Sequence, residues 1–214
     1  MKLYSSVGPN PRVLRMFMAE RGIELETIDV DIMGGDNLTD EFKKMNPSAQ
    51  SPCLQLDSGE ALAEITVICN YLDEINGSSS LVGTTPEERA QTAMWVRRFD
   101  GRILEPMSLG FRSAEGLAIF ENRCHVVPES ADDLKAVVQS NWAWINEALG
   151  DKQYFCGDRF TLADIQLYCF ADFGNMIGQG FPAELSNLAA WFARVAERPS
   201  IAASFHPSEL AQAQ

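Results

Sequence analysis

Histidine is scarce in this chain: His125 and His206 are the only two in 214 residues, and they lie far apart in sequence. That leaves little material for a histidine-built zinc site and argues against a Ser-His-Asp triad. Cysteine is hardly more useful as a framework. The five, Cys53, Cys69, Cys124, Cys156 and Cys169, are odd in number and none falls in a CxxC spacing. A disulfide scaffold is therefore not expected, and reduced thiols fit a cytoplasmic protein. Cys53 and Cys69 sit in apolar runs and read as small buried hydrophobes. Positive charge is also short, with 17 Lys and Arg against 30 Asp and Glu and a net charge of −13. A nucleic-acid backbone or an anionic membrane is a poor partner for such a surface. An anionic small molecule is not excluded, because it needs only local positive potential. No apolar run reaches the roughly 18 residues of a spanning helix. The N-terminus lacks the basic, apolar and small-residue succession of a signal peptide.

What is present suits a folded protein of one or two domains, with 46% hydrophobic residues. Lys2 to Ser5 reads as a strand, broken by Gly8-Pro9-Asn10-Pro11. Asn10 is a favoured N-cap and Pro11 suits a first helical position, so the spacing predicts a helix from there to Gly22. Ile28, Val30 and Ile32 alternate with Asp29 and Asp31 as a strand would, and a short helix follows near residues 40–45. Gly77-Ser78-Ser79-Ser80 marks the best boundary. Beyond it the pattern is helical: a long helix from Pro86 towards Phe111 with a bend near Pro106, another from Ala131 to Leu149, and one near Ala183 to Arg198. Thr161 and Asp164 have capping-box spacing, and Phe160 and Ile165 have that of a hydrophobic staple. The tail after Pro207 is expected to fray.

The stretch from Asn46 to Leu72, NPSAQSPCLQLDSGEALAEITVICNYL, carries the most chemistry. Ser51-Pro52 precedes a short strand, and a cis bond there would turn the Ser51 backbone outward, where a peptide-like ligand could pair with it. Asp57-Ser58-Gly59 reads as a hairpin turn into a second strand. Ile65, Ile68, Cys69 and Leu72 recur at helical spacing, so Glu64 stands at a helix N-terminus, where N–H groups and the dipole favour negative charge. Together these residues read as a cradle for a small peptide that carries a carboxylate.

Four segments in this order resemble the soluble glutathione transferases: MKLYSSVGPN with RMFMAERGIE, GGDNLTDEFKKMNPSAQSPCL, GEALAEITVICNYLDE, and FCGDRFTLADI. The resemblance covers nearly the whole chain. It implies an α/β thioredoxin-like N-terminal domain with a mixed four-stranded sheet over residues 1–77, a linker over 78–85, and an all-helical domain over 86–214. It further implies glutathione as co-substrate with no metal, a small apolar electrophile as second substrate, and a homodimer.

Carried over by position, Ser51 beside Pro52 would pair its backbone with the cysteinyl part of glutathione. Gln50 would lie near the glycyl carboxylate, and Glu64 would meet the γ-glutamyl ammonium. The family usually has Ser or Thr after this glutamate, whereas this chain has Ile65. Its N–H can still face an anion, but a hydroxyl hydrogen bond is absent.

The transferase reaction needs glutathione as a thiolate. Gly8 falls where serine-type members place their serine, and Asn10 where bacterial cysteine-type members place their cysteine. Asn10 is the favoured thiolate donor, with Tyr4, Ser5 and Ser6 as further candidates, and a plain capping role for Asn10 is the competing reading. Asparagine cannot form a mixed disulfide, which weakens thiol transfer through an enzyme cysteine. Met107, Phe111 and Arg112 are the candidates for an electrophile pocket. Glutathione-dependent disulfide or peroxide reduction, and a non-catalytic protein on the same fold, are the alternatives.

Overall fold

The computed structural model describes residues 1–212. By internal contacts the chain divides into two compact units, one of Met1–Ser79 with the segment from Arg198 onward, the other Ser80–Glu197.

The first unit begins β1 (Lys2–Ser5), α1 (Pro9–Arg21), β2 (Glu26–Asp29), α2 (Asp40–Met45), β3 (Cys53–Gln55), β4 (Ala61–Leu62) and α3 (Ile65–Ile75). The sheet order is β2-β1-β3-β4, with β1 parallel to β2 and antiparallel to β3, and β4 antiparallel to β3. The parallel pair requires a crossover, which α1 supplies. Facing residues alternate between sheet faces. Tyr4 opposes Cys53, and this pair joins Val30 and Phe42 of α2 in one cluster. Leu3 opposes Leu54, both at most 1% exposed, on the other face. The apolar stripe of α3 (Ile68, Cys69 and Leu72) is fully buried, as its period requires.

Three local expectations are corrected. Asn10 is not the N-cap of α1: the helix starts at Pro9 and Gly8 occupies the cap, at φ 109°. Two prolines flank Asn10, and either suits a first helical turn, so the pattern left the start ambiguous by two residues. β2 stops at Asp29 instead of running on to Ile32, because Asp31 Oδ1 accepts from the Gly34 N–H at 2.8 Å and turns the chain. The tail after Pro207 is helical rather than frayed over Pro207–Gln212, with the His206 N–H donating to Glu209 Oε2 at 2.6 Å at its start.

The segment from Arg198 packs with the first unit, not with the helices it follows in sequence. Arg198 makes a two-pronged pair with Glu20 of α1, at 2.8 and 2.6 Å, and the Ser200 hydroxyl donates to the same carboxylate. Burial alone would raise the Glu20 pKa, but the bonds from Arg198 and Ser200 outweigh it and hold the carboxyl below its usual range. Arg12, 4% exposed, donates to Ser204 Oγ at 3.1 Å and lies 4.2 Å over the Phe205 ring. His206 Nε2 lies 2.9 Å from Asp29 Oδ1.

The second unit is helical. Its elements are α4 (Pro86–Phe99), a π-helical stretch (Asp100–Leu104), α5 (Glu105–Ser113), α6 (Leu117–Phe120), α7 (Ala131–Leu149), α8 (Leu162–Met176) and α9 (Ser186–Ala196). The wide turn precedes Pro106, whose missing N–H cannot serve an ordinary helical bond. Two short helices, α10 (Ser200–Ser204) and α11 (Pro207–Gln212), belong to the returning segment of the first unit. Trp142 and Trp191 are fully buried in the helical unit, and Trp95 stacks on Phe99 at 5.6 Å between centroids. Trp144 is half-buried beneath the Arg102 guanidinium, 4.3 Å from its ring centroid.

The predicted capping box is formed and completely buried. Asp164 Oδ2 accepts from the Thr161 N–H and hydroxyl, both at 2.9 Å. Oδ1 accepts from the Phe155 N–H at 3.2 Å and from Trp191 Nε1 at 3.0 Å. Burial pushes this carboxyl up to about 6, against the pull of those four donors.

Candidate functional site

Strand register brings several of the predicted residues of the first unit to one end of the two central strands. Tyr4 pairs with Cys53, so continuing the alignment sets Ser5 beside Pro52 and Ser6 beside Ser51. Leu54 pairs with Leu62, and the same continuation sets Pro52 beside Glu64. The end of β1, the start of β3 and the entry to α3 thus meet, with Gly8 and Asn10 a few residues beyond β1. The Ser51-Pro52 peptide is cis.

The loop before Ser51 is pinned by two asparagines that sequence reading did not single out. Asn46, 4% exposed, donates from Nδ2 to the Gln50 carbonyl at 2.8 Å and accepts from the Ser48 hydroxyl at 2.8 Å. Asn37 Nδ2 donates to the Ala49 carbonyl at 2.7 Å, and Ala49 holds a left-handed φ of 53°. Asn46-Pro47-Ser48 was the available signal, since asparagine side chains close turns on their own backbone two residues on. These bonds leave the Gln50 side chain exposed and the Ser51 segment fixed.

Glu64 occupies the N-cap of α3 at φ 67°, ψ 119°. This is a costly conformation for a residue with a Cβ, of order 1–3 kcal/mol. Its side chain is exposed and has no hydrogen-bond or ion-pair partner among the described residues. Ile65 follows, half-buried, at the first helical position. Asn10, half-buried in the first turn of α1, likewise has a side-chain amide with no partner among the described residues. Pro9 and Pro11 lack N–H groups, so among the described residues of this first turn Asn10 keeps an unclaimed backbone donor, next to that of the capping Gly8.

The hydroxyl candidates are differently engaged. Tyr4 packs against the Val30–Phe42–Cys53 cluster, edge-on to Phe42 at 6.1 Å. Ser5 and Ser6 are each 2% exposed; Ser5 Oγ accepts from Arg15, and Ser6 Oγ donates to the Val7 carbonyl at 3.1 Å. Cys53 is buried, and burial raises its thiol pKa, the opposite of what a reactive thiol needs.

In the helical unit, Met107 is fully buried, with its methyl against Gly174 of α8. Phe111 is half-buried, in edge contact with Phe120 and Phe173 at 6.2 and 5.1 Å. The half-buried Arg112 guanidinium lies 5.4 Å from the Phe120 ring centroid. Among the described residues there is no group of three or more His, Cys, Asp or Glu able to hold a metal ion.

Residues 7–75 match the family model "Glutathione S-transferase, N-terminal domain", and residues 116–199 match "Glutathione S-transferase, C-terminal domain". A solved glutathione S-transferase domain-containing protein of Marinobacter aquaeolei is 37% identical, with a TM-score of 0.88 over 94% of this chain and 100% of that one. Glutathione S-transferase 2 of Saccharomyces cerevisiae is 26% identical across 91% of this chain and 84% of its own length. Maleylacetoacetate isomerase of Pseudomonas aeruginosa is also 26% identical, across 81% of this chain and 83% of its own. With both family models matched in order and a solved relative 37% identical over nearly the whole chain, the chain belongs to the glutathione S-transferase family.

Proposed function

We propose that the protein is a glutathione transferase that binds glutathione in its first unit, stabilises the thiolate and directs it at a small apolar electrophile. The observation that carries this reading is the alignment of the end of β1, which leads to Asn10, with Ser51-Pro52 and Glu64, the side chains of Asn10, Gln50 and Glu64 having no partner among the described residues. A γ-glutamyl tripeptide supplies what each of them lacks. Its cysteinyl backbone pairs with Ser51 as an added strand. Its ammonium meets Glu64, its γ-glutamyl carboxylate faces the Ile65 N–H at the start of α3, and its glycyl carboxylate lies by Gln50.

The thiol then falls by the turn that leads into α1, where Asn10 offers Nδ2 and a backbone N–H. Hydrogen bonds to the charged form lower a pKa, so these donors favour the thiolate, which attacks while the protein contributes no covalent group. Asn10 is the donor we assign, since the Tyr4 ring packs against the Val30–Phe42–Cys53 cluster and the Ser5 and Ser6 hydroxyls are already bonded. Phe111 and Arg112 are assigned to the electrophile, whereas Met107 is fully buried and has no surface to offer. A homodimer in the cytoplasm is the expected setting for this activity.

Reduction of a disulfide or peroxide would draw on the same bound thiolate, and the buried Cys53 gives no enzyme thiol to share that chemistry. Calorimetric titration with glutathione, followed by a panel of aryl halides, peroxides and disulfides, tests the proposal. Glutathione should bind at or below millimolar concentration, and an aryl halide should be turned over faster than the others. Absence of heat would leave a non-catalytic role for the fold.

A further inference from the structure

The turn between β1 and α1 is held by its carbonyl oxygens. Arg15 Nη1 donates to the Ser6 carbonyl at 2.8 Å, Ser6 Oγ to the Val7 carbonyl at 3.1 Å, and the Arg12 N–H to the Gly8 carbonyl at 3.2 Å. In a trans peptide the N–H points away from the C=O of the same unit. Fixing the Ser6 and Val7 carbonyls therefore aims the Val7 and Gly8 N–H groups to the opposite side. Neither N–H has a partner among the described residues. Gly8 adopts φ 109°, a conformation that glycine takes without strain.

Arg15 makes the long-range part of this arrangement. Besides the Ser6 carbonyl, Nη1 reaches Ser5 Oγ at 3.3 Å, Nε donates to the Ser204 carbonyl at 2.7 Å, and Nη2 lies 3.8 Å from Glu209. One guanidinium thus joins the end of β1, the turn, α1 and the returning segment of residues 198–209, all within the first unit. A planar fork with donors on several edges can serve these acceptors at once, whereas an ammonium on a flexible stem offers no such fixed geometry.

We propose that Arg15 is a positioning residue for thiol activation: it orients the β1–α1 turn that leads to Asn10, and the C-terminal segment is the anchor that holds Arg15. This rests on the glutathione reading given above. Through it, residues more than 180 positions from the turn become part of what supports the reactive sulfur. Arg15 touches neither sulfur nor electrophile; it acts through Ser6, Val7 and Gly8.

The test compares wild type with Arg15→Met and Arg15→Lys by glutathione calorimetry, by the pH titration of the thiolate absorbance of the bound tripeptide, and by turnover of an aryl halide. Arg15→Met should raise the bound thiol pKa by about one unit and lower kcat near neutral pH by about tenfold. The glutathione Kd should change by less than about threefold, because the turn contributes little to ground-state binding. Added guanidinium ion should restore part of kcat, and Arg15→Lys should recover less than half. If Arg15→Met fails to fold, Ser5→Ala, which removes a single acceptor, should still raise the thiol pKa measurably. A bound thiol pKa and kcat equal to wild type in these variants, with only a lower melting temperature, would overturn the proposal and leave glutathione binding intact. Failure of wild type to bind glutathione would overturn both readings together.

Discussion

Two of the carboxylates at helix starts in this protein are built for opposite ends. Asp164, at the start of α8, is fully buried and accepts from four donors. Glu64, at the start of α3, is exposed, lacks a partner among the described residues and sits on a left-handed backbone. Both exploit the positive end of a helix. The first spends that opportunity on joining Phe155, Thr161 and Trp191 into one core. The second keeps its oxygens free at the price of local strain. A carboxylate already saturated by the fold has no lone pair for a ligand, whereas one held in an awkward conformation without a partner has little use to the fold alone.

The largest effect should follow from breaking the buried member. Asp164→Ala strands three N–H donors, each costing about 1–3 kcal/mol, so the helical unit should lose more than ~3 kcal/mol. At this chain length the melting temperature should fall by at least ~6 °C. A loss below ~1 kcal/mol in calorimetric unfolding would show that these donors find other acceptors. The same carboxyl has a pH signature. Its pKa is raised from 3.8 to about 6 by burial, so between those values the native state keeps a proton that the unfolded chain has released. Its contribution is present in full below 3.8 and is lost as pH rises through about 6, by up to ~3 kcal/mol. Subtracting the stability curve of Asp164→Asn isolates this contribution. A flat difference across the window would mean that the four donors keep the group ionised throughout.

The exposed member should behave in reverse. Glu64→Gln leaves the backbone and packing as they are, so stability should stay within about 0.5 kcal/mol of wild type. Glutathione affinity should fall about tenfold or more, since a hydrogen bond between charged groups contributes about 1.5–3 kcal/mol. Calorimetry reads both quantities on one sample, and an unchanged Kd would remove Glu64 from the site.

The contrast was partly legible in the sequence. Thr161 and Asp164 announced their capping box by spacing, because capping is local and each partner lies within one turn of the other. Glu64 was placed at a helix start for the same reason. Its freedom from partners was not readable, since that depends on what surrounds it in space. The start of α1 was misplaced by two residues because Pro9 and Pro11 both suit a first turn and Asn10 between them looks like a cap. The packing of the segment from Arg198 with the first unit was not readable for a deeper reason. Arg12 and Arg15 of α1 find acceptors in that segment. Those acceptors, Ser204 and Glu209, lie near the other end of the chain, and no local pattern points to them.

The smallest effect concerns the neighbour of Glu64. Ile65 is half-buried at the first position of α3, where a hydroxyl would give a γ-glutamyl carboxylate a second donor beside the backbone N–H. Ile65→Ser should cost the first unit about 1 kcal/mol in lost apolar burial. It should also tighten glutathione binding by up to about tenfold, as expected for a new hydrogen bond to a carboxylate. Affinity and stability then move in opposite directions at one residue, the same division that separates Glu64 from Asp164. Weaker binding in Ile65→Ser would mean that the isoleucine itself shapes the entry to α3, and that Glu64 owes its position to packing at Ile65 as well as to its own backbone.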